Sequence, residues 1–283
     1  MSETAEMYPL GRDEAESHRL NEQHRLLLDI ADGPIDKSIP LNRLGAVADV
    51  GTGTGIWLWD AQTVLDKIDS TCERHFHGFD ISAAQFPPTR PGERIKFSVH
   101  DLFKPFPAEH LNRYDLVHIR LLVTAFAESE FQKAVANLLT ILKPGGYLQW
   151  VEIDFSHVEA AAANDARVAD SARSWLELIE LNKMSKCAPA ALSRAYEEVG
   201  LQNIVYRSFL VSGRDALKVR AQAWQRQFFS TIMPLVLIRT GRVADSIGAT
   251  QKASEMQVDL DRYFADGGVL DTRFGTVVGQ KPE

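Results

Sequence analysis

Three glycines at alternate positions, Gly51, Gly53 and Gly55, follow an acid in the stretch VADVGTGTGIW. Glycines spaced in this way let a backbone come close to a bound ligand. A dinucleotide fingerprint needs glycines at its first, third and sixth positions. Counted from Gly51, the sixth position is Ile56, and the third glycine arrives one residue early. Asp49 stands two residues ahead of the first glycine. A carboxylate there is a poor neighbour for a pyrophosphate and a good one for an ammonium or sulfonium group. S-Adenosylmethionine carries both cations and no phosphate.

Two further acids strengthen this reading. Asp80, in GFDIS, ends the next expected strand, where an acid can accept both hydroxyls of a ribose. Asp101, in SVHDLF, ends the one after, where an adenine amino group could donate to it. Either acid alone also fits an ordinary helix N-cap. Three acids, each at the carboxyl end of a strand, form a set that points to one nucleoside. Gly55 and Ile81, beside these acids, are counted with the cofactor-binding residues.

Methyl transfer from such a ligand is an in-line displacement, so alignment supplies much of the acceleration. A general base is needed only when the acceptor must first lose a proton. His118, in the fourth expected strand, is either that base or a structural histidine bonded to its neighbours. His24 lies four residues after Leu20 on one helix face and either points into the site or is solvated. Glu152, in QWVEID, either orients an acceptor amine or hydroxyl or pairs with Arg19. Arg120 is read as a cofactor-binding residue, with a substrate carboxylate or the N-terminal acids as its other partners. His75 and His77 have metal-like spacing but no acid or thiol companion, so no metal is expected. Trp224, Phe228, Phe229 and Met233 have mixed helical spacing and either line an apolar pocket or pack a cap.

The elements that must position these residues alternate in type. Strands are expected at 47–50, 75–81, 95–101, 114–122 and 147–154, with helices at 12–31, 56–68 and 129–142. KPGG (143–146) should end the last of these helices. This alternation gives a doubly wound parallel sheet with ligands at the carboxyl ends of its strands. Beyond residue 155, helices at 161–184, 188–199, 214–239 and 243–265 intervene between strands at 202–211 and 274–281. The expected organisation is an N-terminal helical lid over 1–40 and a catalytic domain over 41–283. Substrate-covering helices are placed at about 161–184 and 214–266 within that domain.

Composition narrows the class. The 283 residues are 45% hydrophobic and 24% charged, with a net charge of −7. Those proportions suit a soluble globular protein, and the acidity disfavours binding driven by nucleic-acid phosphates. Two distant cysteines, Cys72 and Cys187, read as free thiols. The polar, acidic N-terminus is no signal peptide, and IMPLVLI (232–238) is too short to span a bilayer. A cytoplasmic protein without a membrane partner is expected; its oligomeric state is left open.

DVGTGTG, GFDIS, HDLFKPFP, YDLVHIRLL and LLTILKPGGYLQWVEID together resemble a class I S-adenosylmethionine-dependent methyltransferase over roughly residues 45–155. The upstream SHRLNEQHRLLLDIADG and the form GTGTGIW are similar to methyltransferases of fungal secondary metabolism, a group that includes a global regulator. The resemblance implies a Rossmann-like sheet of seven strands, the last antiparallel, with the N-terminal helix folded over the cofactor. It implies that Asp49, Gly51, Gly53, Asp80 and Asp101 bind S-adenosylmethionine, that Leu102 packs on adenine, and that His118 to Leu121 face the methyl group. It implies a small-metabolite acceptor methylated at nitrogen, oxygen or sulfur, peptide-derived and diketopiperazine compounds among the kinds, with S-adenosylhomocysteine as product. The alternative is a regulatory binding protein that keeps the fold and acts through protein partners.

Overall fold

The computed structural model describes residues 14–88, 92–156, 158, 165–211, 214–268, 270 and 272–283. Helix α1 (Glu14–Ala31) precedes β1 (Ala46–Val50), α2 (Ile56–Ile68), β2 (His75–Asp80) and β3 (Ile95–Val99). Strand β4 (Tyr114–Arg120), α3 (Phe131–Ile141) and β5 (Leu142–Asp154) complete the first half. The second half contains α4 (Ala166–Leu181), α5 (Ala188–Glu198), β6 (Gln202–Leu210), α6 (Asp215–Arg239), α7 (Ser246–Ala265) and β7 (Arg273–Gln280).

The strands form one seven-stranded sheet in the order β3-β2-β1-β4-β5-β7-β6. Strands β1 to β5 pair in parallel, and β7 runs antiparallel to both β5 and β6. The chain works outward from β1 to β3 and then returns to the other side of β1 as β4. Strand order therefore reverses between β1 and β4, which opens a crevice beyond their carboxyl ends. Alternation along β1 explains why both faces are covered. Ala46, Ala48 and Val50 join one apolar cluster and Val47 joins the other.

Helices α6 and α7 pack together, and α4 lies against both. Helix α1 packs on α6, where Arg220 pairs with Asp29 and Arg214 Nη1 donates to the Ile30 carbonyl at 2.9 Å. The helical layer thus ties the N-terminal helix to the late helices over one edge of the sheet.

Two expectations change. Strand β5 begins at Leu142, five residues earlier than the apolar run suggested. The helix ends at Ile141, before Pro144 and Gly145, which lie inside the strand instead of capping the helix; Gly145 takes φ 74° there, and Leu142 pairs with Tyr114 ahead of a register shift. The expected strands at 95–101 and 114–122 stop at Val99 and Arg120, which leaves Asp101 and Leu121–Leu122 in the loops that form the crevice. Residues 161–164 of the expected cap lie outside the described residues. No helix among the described residues is long and apolar enough to cross a membrane.

Candidate active site

The glycine turn closes by hydrogen bonds from Gly51 N and Thr52 N to the Phe79 carbonyl, 2.8 and 2.9 Å. Gly51, Gly53 and Gly55 all take positive φ (72°, 53° and 74°), a region that costs side-chain-bearing residues energy. Gly55 serves packing rather than ligand approach. A Cβ on it would sit 2.6 Å from the Phe97 ring, and Gly55 does not face the cavity.

A cavity of about 190 Å³ lies over this turn. Its wall includes Gly51 and Gly53, Asp80 and Ile81, Asp101 and Leu102, and Arg120. The crevice therefore gathers most of the cofactor-binding set expected from the sequence. Asp80 has structural duties as well: Oδ2 accepts from Gly53 N at 2.9 Å and Oδ1 from Ser82 N at 3.1 Å. Asp101 Oδ1 accepts from Phe103 N at 2.9 Å, the local cap that its position also suggested.

Helix α1 supplies three wall residues, Arg19, which the sequence offered only as a partner for Glu152, Leu20, which it used only to place His24, and Gln23. Leu20 packs over Gly53, and Thr54 Oγ1 donates to Asn21 Oδ1 at 2.8 Å, so the helix rests directly on the glycine turn. Arg19 is buried in a two-pronged pair with Glu16, both contacts 2.7 Å. Gln85, also on the wall, keeps its Nε2 buried without a protein partner. Its only sequence signal was a place five residues past the second-strand acid Asp80.

Arg120 reaches the cavity from the end of β4. Burial lowers its pKa to about 10, and among the described residues no carboxylate forms an ion pair with it. Its Nη1 donates to His24 Nδ1 at 2.6 Å, and His24 Nε2 donates in turn to Asp60 Oδ2 at 2.7 Å. Accepting at Nδ1 makes His24 neutral, and burial with the Arg120 charge lowers its pKa to about 4. His24 is therefore a link between α1, α2 and β4, and does not face the cavity as a base.

His118 is likewise corrected. It is buried and stacked on Trp57 (centroids 3.8 Å, planes 2° apart), and its Nδ1 donates to Asp49 Oδ1 at 2.7 Å. Burial holds its pKa below the usual imidazole value, which fits this neutral tautomer. Asp49 spends its other oxygen on Thr52 Oγ1 at 2.7 Å. Neither residue reaches the cavity wall, because β1 and β4 turn both side chains onto the α2 side of the sheet. Asp49 thus braces the turn from beneath.

Glu152 is fully buried under the cavity floor and is not paired with Arg19. Its Oε1 accepts from Leu122 N at 2.6 Å and Trp150 Nε1 at 2.9 Å, while Oε2 has no partner. Burial raises its pKa to about 7. The segment it holds, Leu121–Val123, lines the cavity, and Leu121 takes φ 55°. Glu152 positions the floor through Leu122 N.

A further acid on a cavity wall is Asp154, two residues on at the very end of β5; it is buried, and its Oδ1 accepts from Ser156 N at 2.9 Å. It lines a second cavity of about 130 Å³, which shares Ile153, Phe155, Trp224 and Phe228 with the first. The sequence carried a signal for it, since ligands gather at strand ends, but the more central Glu152 drew the attention.

The residues 21–205 match the family model described as Methyltransferase domain. A Penicillium methyltransferase, grgD, is 37% identical over 211 residues, covering 72% of each chain. The N-methyltransferase gliN of Aspergillus fumigatus is 27% identical over 286 residues, covering 97% of this chain and 96% of its own. Among solved structures, phosphoethanolamine N-methyltransferase 2 of Haemonchus contortus in complex with S-adenosyl-L-methionine superposes with a TM-score of 0.51 at 14% identity. That match covers 93% of this chain and 53% of the other.

Proposed function

Because the chain belongs to the methyltransferase-domain family and is an S-adenosylmethionine-dependent enzyme, we propose that it methylates a nitrogen of a small, largely apolar metabolite. When bound, S-adenosylmethionine supplies an activated methyl on sulfonium and leaves as S-adenosylhomocysteine.

The donor set of the first cavity suits that group. Arg120, a half-buried cation with no ion-pair partner among the described residues, takes the methionyl carboxylate. Asp80 accepts from the ribose hydroxyls. Asp101 and Leu102 serve the adenine. Helix α1 covers the turn through Leu20 and Asn21 and excludes water.

The observation that carries the acceptor reading is the second cavity joined to the first, with Asp154 as its one charged residue among those described. A neutral amine needs no base before it attacks, but its nitrogen gains positive charge as the new bond forms. Asp154, on the wall of the second cavity, stabilises that charge and takes the proton released afterwards. With His118 and His24 committed elsewhere, positioning and this carboxylate account for the catalysis. The nitrogen preference also accords with the relative gliN, an N-methyltransferase aligned along nearly the whole chain.

The test is product mass spectrometry with methyl-labelled cofactor and matched amine, amide, phenol and thiol acceptors. Label on nitrogen, lost in Asp154→Asn, is expected. Label confined to oxygen or sulfur would refute the nitrogen assignment.

A further inference from the structure

We propose that His24 is a positioning residue for cofactor recognition: a neutral spacer between Arg120 and Asp60, it aims the Arg120 guanidinium at the cofactor carboxylate and keeps that cation from being neutralised. This rests on the reading above in which Arg120 takes the methionyl carboxylate.

Arg120 has two anions near it. Asp49 on β1 and Asp60 on α2 both act on its charge, yet neither forms an ion pair with it among the described residues. Asp49 accepts instead from His118 Nδ1 and Thr52 Oγ1, both at 2.7 Å. Asp60 Oδ2 accepts from His24 Nε2 at 2.7 Å, and Nδ1 of the same ring accepts from Arg120 Nη1 at 2.6 Å. The wholly buried imidazole therefore stands between the cation and the Asp60 anion.

A carboxylate in the place of His24 would also orient Arg120, but it would cancel the charge that a ligand anion needs. A neutral ring nitrogen orients the guanidinium and leaves its charge intact. Ionised Asp60 can only accept, so it fixes the proton on Nε2 and leaves the lone pair of Nδ1 for Arg120. Burial, with the Arg120 charge beside it, lowers the His24 pKa to about 4, which keeps the ring neutral. A guanidinium is a rigid planar fork, so fixing one Nη turns all of its donors together.

Helix α1 adds a condition. Leu20 packs over Gly53, and Asn21 Oδ1 accepts from Thr54 Oγ1 at 2.8 Å. His24 follows Leu20 by one turn on the same helix face, so docking of α1 on the glycine turn is what brings the imidazole to Arg120. Recognition of the carboxylate is thereby tied to a docked α1. Asp80 ends β2 and Asp101 lies in the loop after β3, and both stand outside this chain of bonds.

Calorimetric titration of the full chain with S-adenosylhomocysteine and with its decarboxylated form, which keeps the amine, tests this. The ratio of the two Kd values reads carboxylate recognition, whereas a general loosening of α1 or of the fold lowers both affinities together. His24→Leu should weaken S-adenosylhomocysteine about tenfold and the decarboxylated ligand by no more than about twofold. His24→Asn, whose Oδ1 falls near the place of Nδ1, should restore most of the ratio. Asp60→Ala, at a half-exposed position, should lower the ratio severalfold, and it decides the matter if the buried leucine variant does not fold. Equal losses for both ligands, or a ratio left unchanged by the His24 and Asp60 variants, would overturn the positioning role. Arg120→Leu separates the two readings. If it abolishes the ratio while the His24 and Asp60 variants preserve it, only the positioning role falls. If the native ratio is near one, or Arg120→Leu leaves it intact, the carboxylate assignment falls and the positioning role with it.

Discussion

Glu152→Gln separates a positioning role from a catalytic one. The folded protein raises this carboxyl from its usual 4.5 to about 7, chiefly by burial. At about 1.36 kcal/mol per pKa unit, that difference is worth about 3 kcal/mol of pH-dependent stability. The sign follows from which state holds the proton. Below pH 4.5 the folded and unfolded chains both carry it, and no differential exists. Between pH 4.5 and about 7 the folded chain keeps the proton that the unfolded chain has lost, so stability falls as pH rises; above about 7 the loss is complete. Glutamine keeps an acceptor for Leu122 N and Trp150 Nε1 and copies the neutral carboxyl at the unpartnered oxygen. Urea unfolding of both proteins from pH 4 to 8 should therefore give a difference curve falling by about 3 kcal/mol for the native chain relative to the variant. Methyl transfer should survive in Glu152→Gln and collapse in Glu152→Leu, which abandons the Leu121–Val123 floor. A flat or rising difference curve would refute the burial argument, and a dead but folded glutamine variant would restore Glu152 to the chemistry.

Three further outcomes follow from the same geometry. Gly55→Ala should cost about 2–4 kcal/mol in urea unfolding, from positive φ plus overlap with Phe97, and Phe97→Leu should recover part of it; an unaltered midpoint would deny the close contact. Asp80→Ala should weaken S-adenosylhomocysteine by about 1.5–3 kcal/mol in calorimetric titration, and an unchanged Kd would remove Asp80 from the site. His24, held neutral with a pKa of about 4 against a usual 6.5, should make stability drop as pH falls from 6.5 toward 4, because only the unfolded chain takes up the proton there. His24→Gln should flatten that part of the profile, and a persisting slope would assign it to another group.

The parts of the site that local pattern controls were legible in the sequence. Gly51, Gly53, Asp80 and Asp101 sit where strand ends and turns must put them, and a period-two strand leaves little choice about which residue comes last. Side-chain direction at mid-strand was not legible. His118 and Asp49 occupy paired register positions on neighbouring strands, and their shared hydrogen bond depends on which face α2 covers. His24 was misread for a related reason: the helical repeat put it near Leu20, but only the docking angle of α1 decides that Leu20 meets Gly53 while His24 turns to Asp60. As cavity residues, Arg19, Gln23, Gln85 and Asp154 were missed because each reaches its cavity through long-range packing with no motif of its own.

The distribution of charge across the two cavities explains how one crevice serves two unlike ligands. Arg19, Asp80, Asp101 and Arg120 cluster where the first cavity meets the glycine turn and α1, and each anion there also bonds backbone or rests against a structured loop. Charges held in this way need no reorganisation when a zwitterionic nucleoside arrives. Past Ile153 and Phe155 the wall becomes aromatic and aliphatic, with Asp154 alone. In the proposed transfer to nitrogen, positive charge would leave the sulfonium and appear on the acceptor nitrogen. An apolar surround favours a spread charge over a localised one, so it helps the transition state relative to the bound sulfonium. A carboxylate on the wall of the second cavity then favours the forward direction without strengthening ground-state binding of a neutral acceptor, which is the differential effect that catalysis requires.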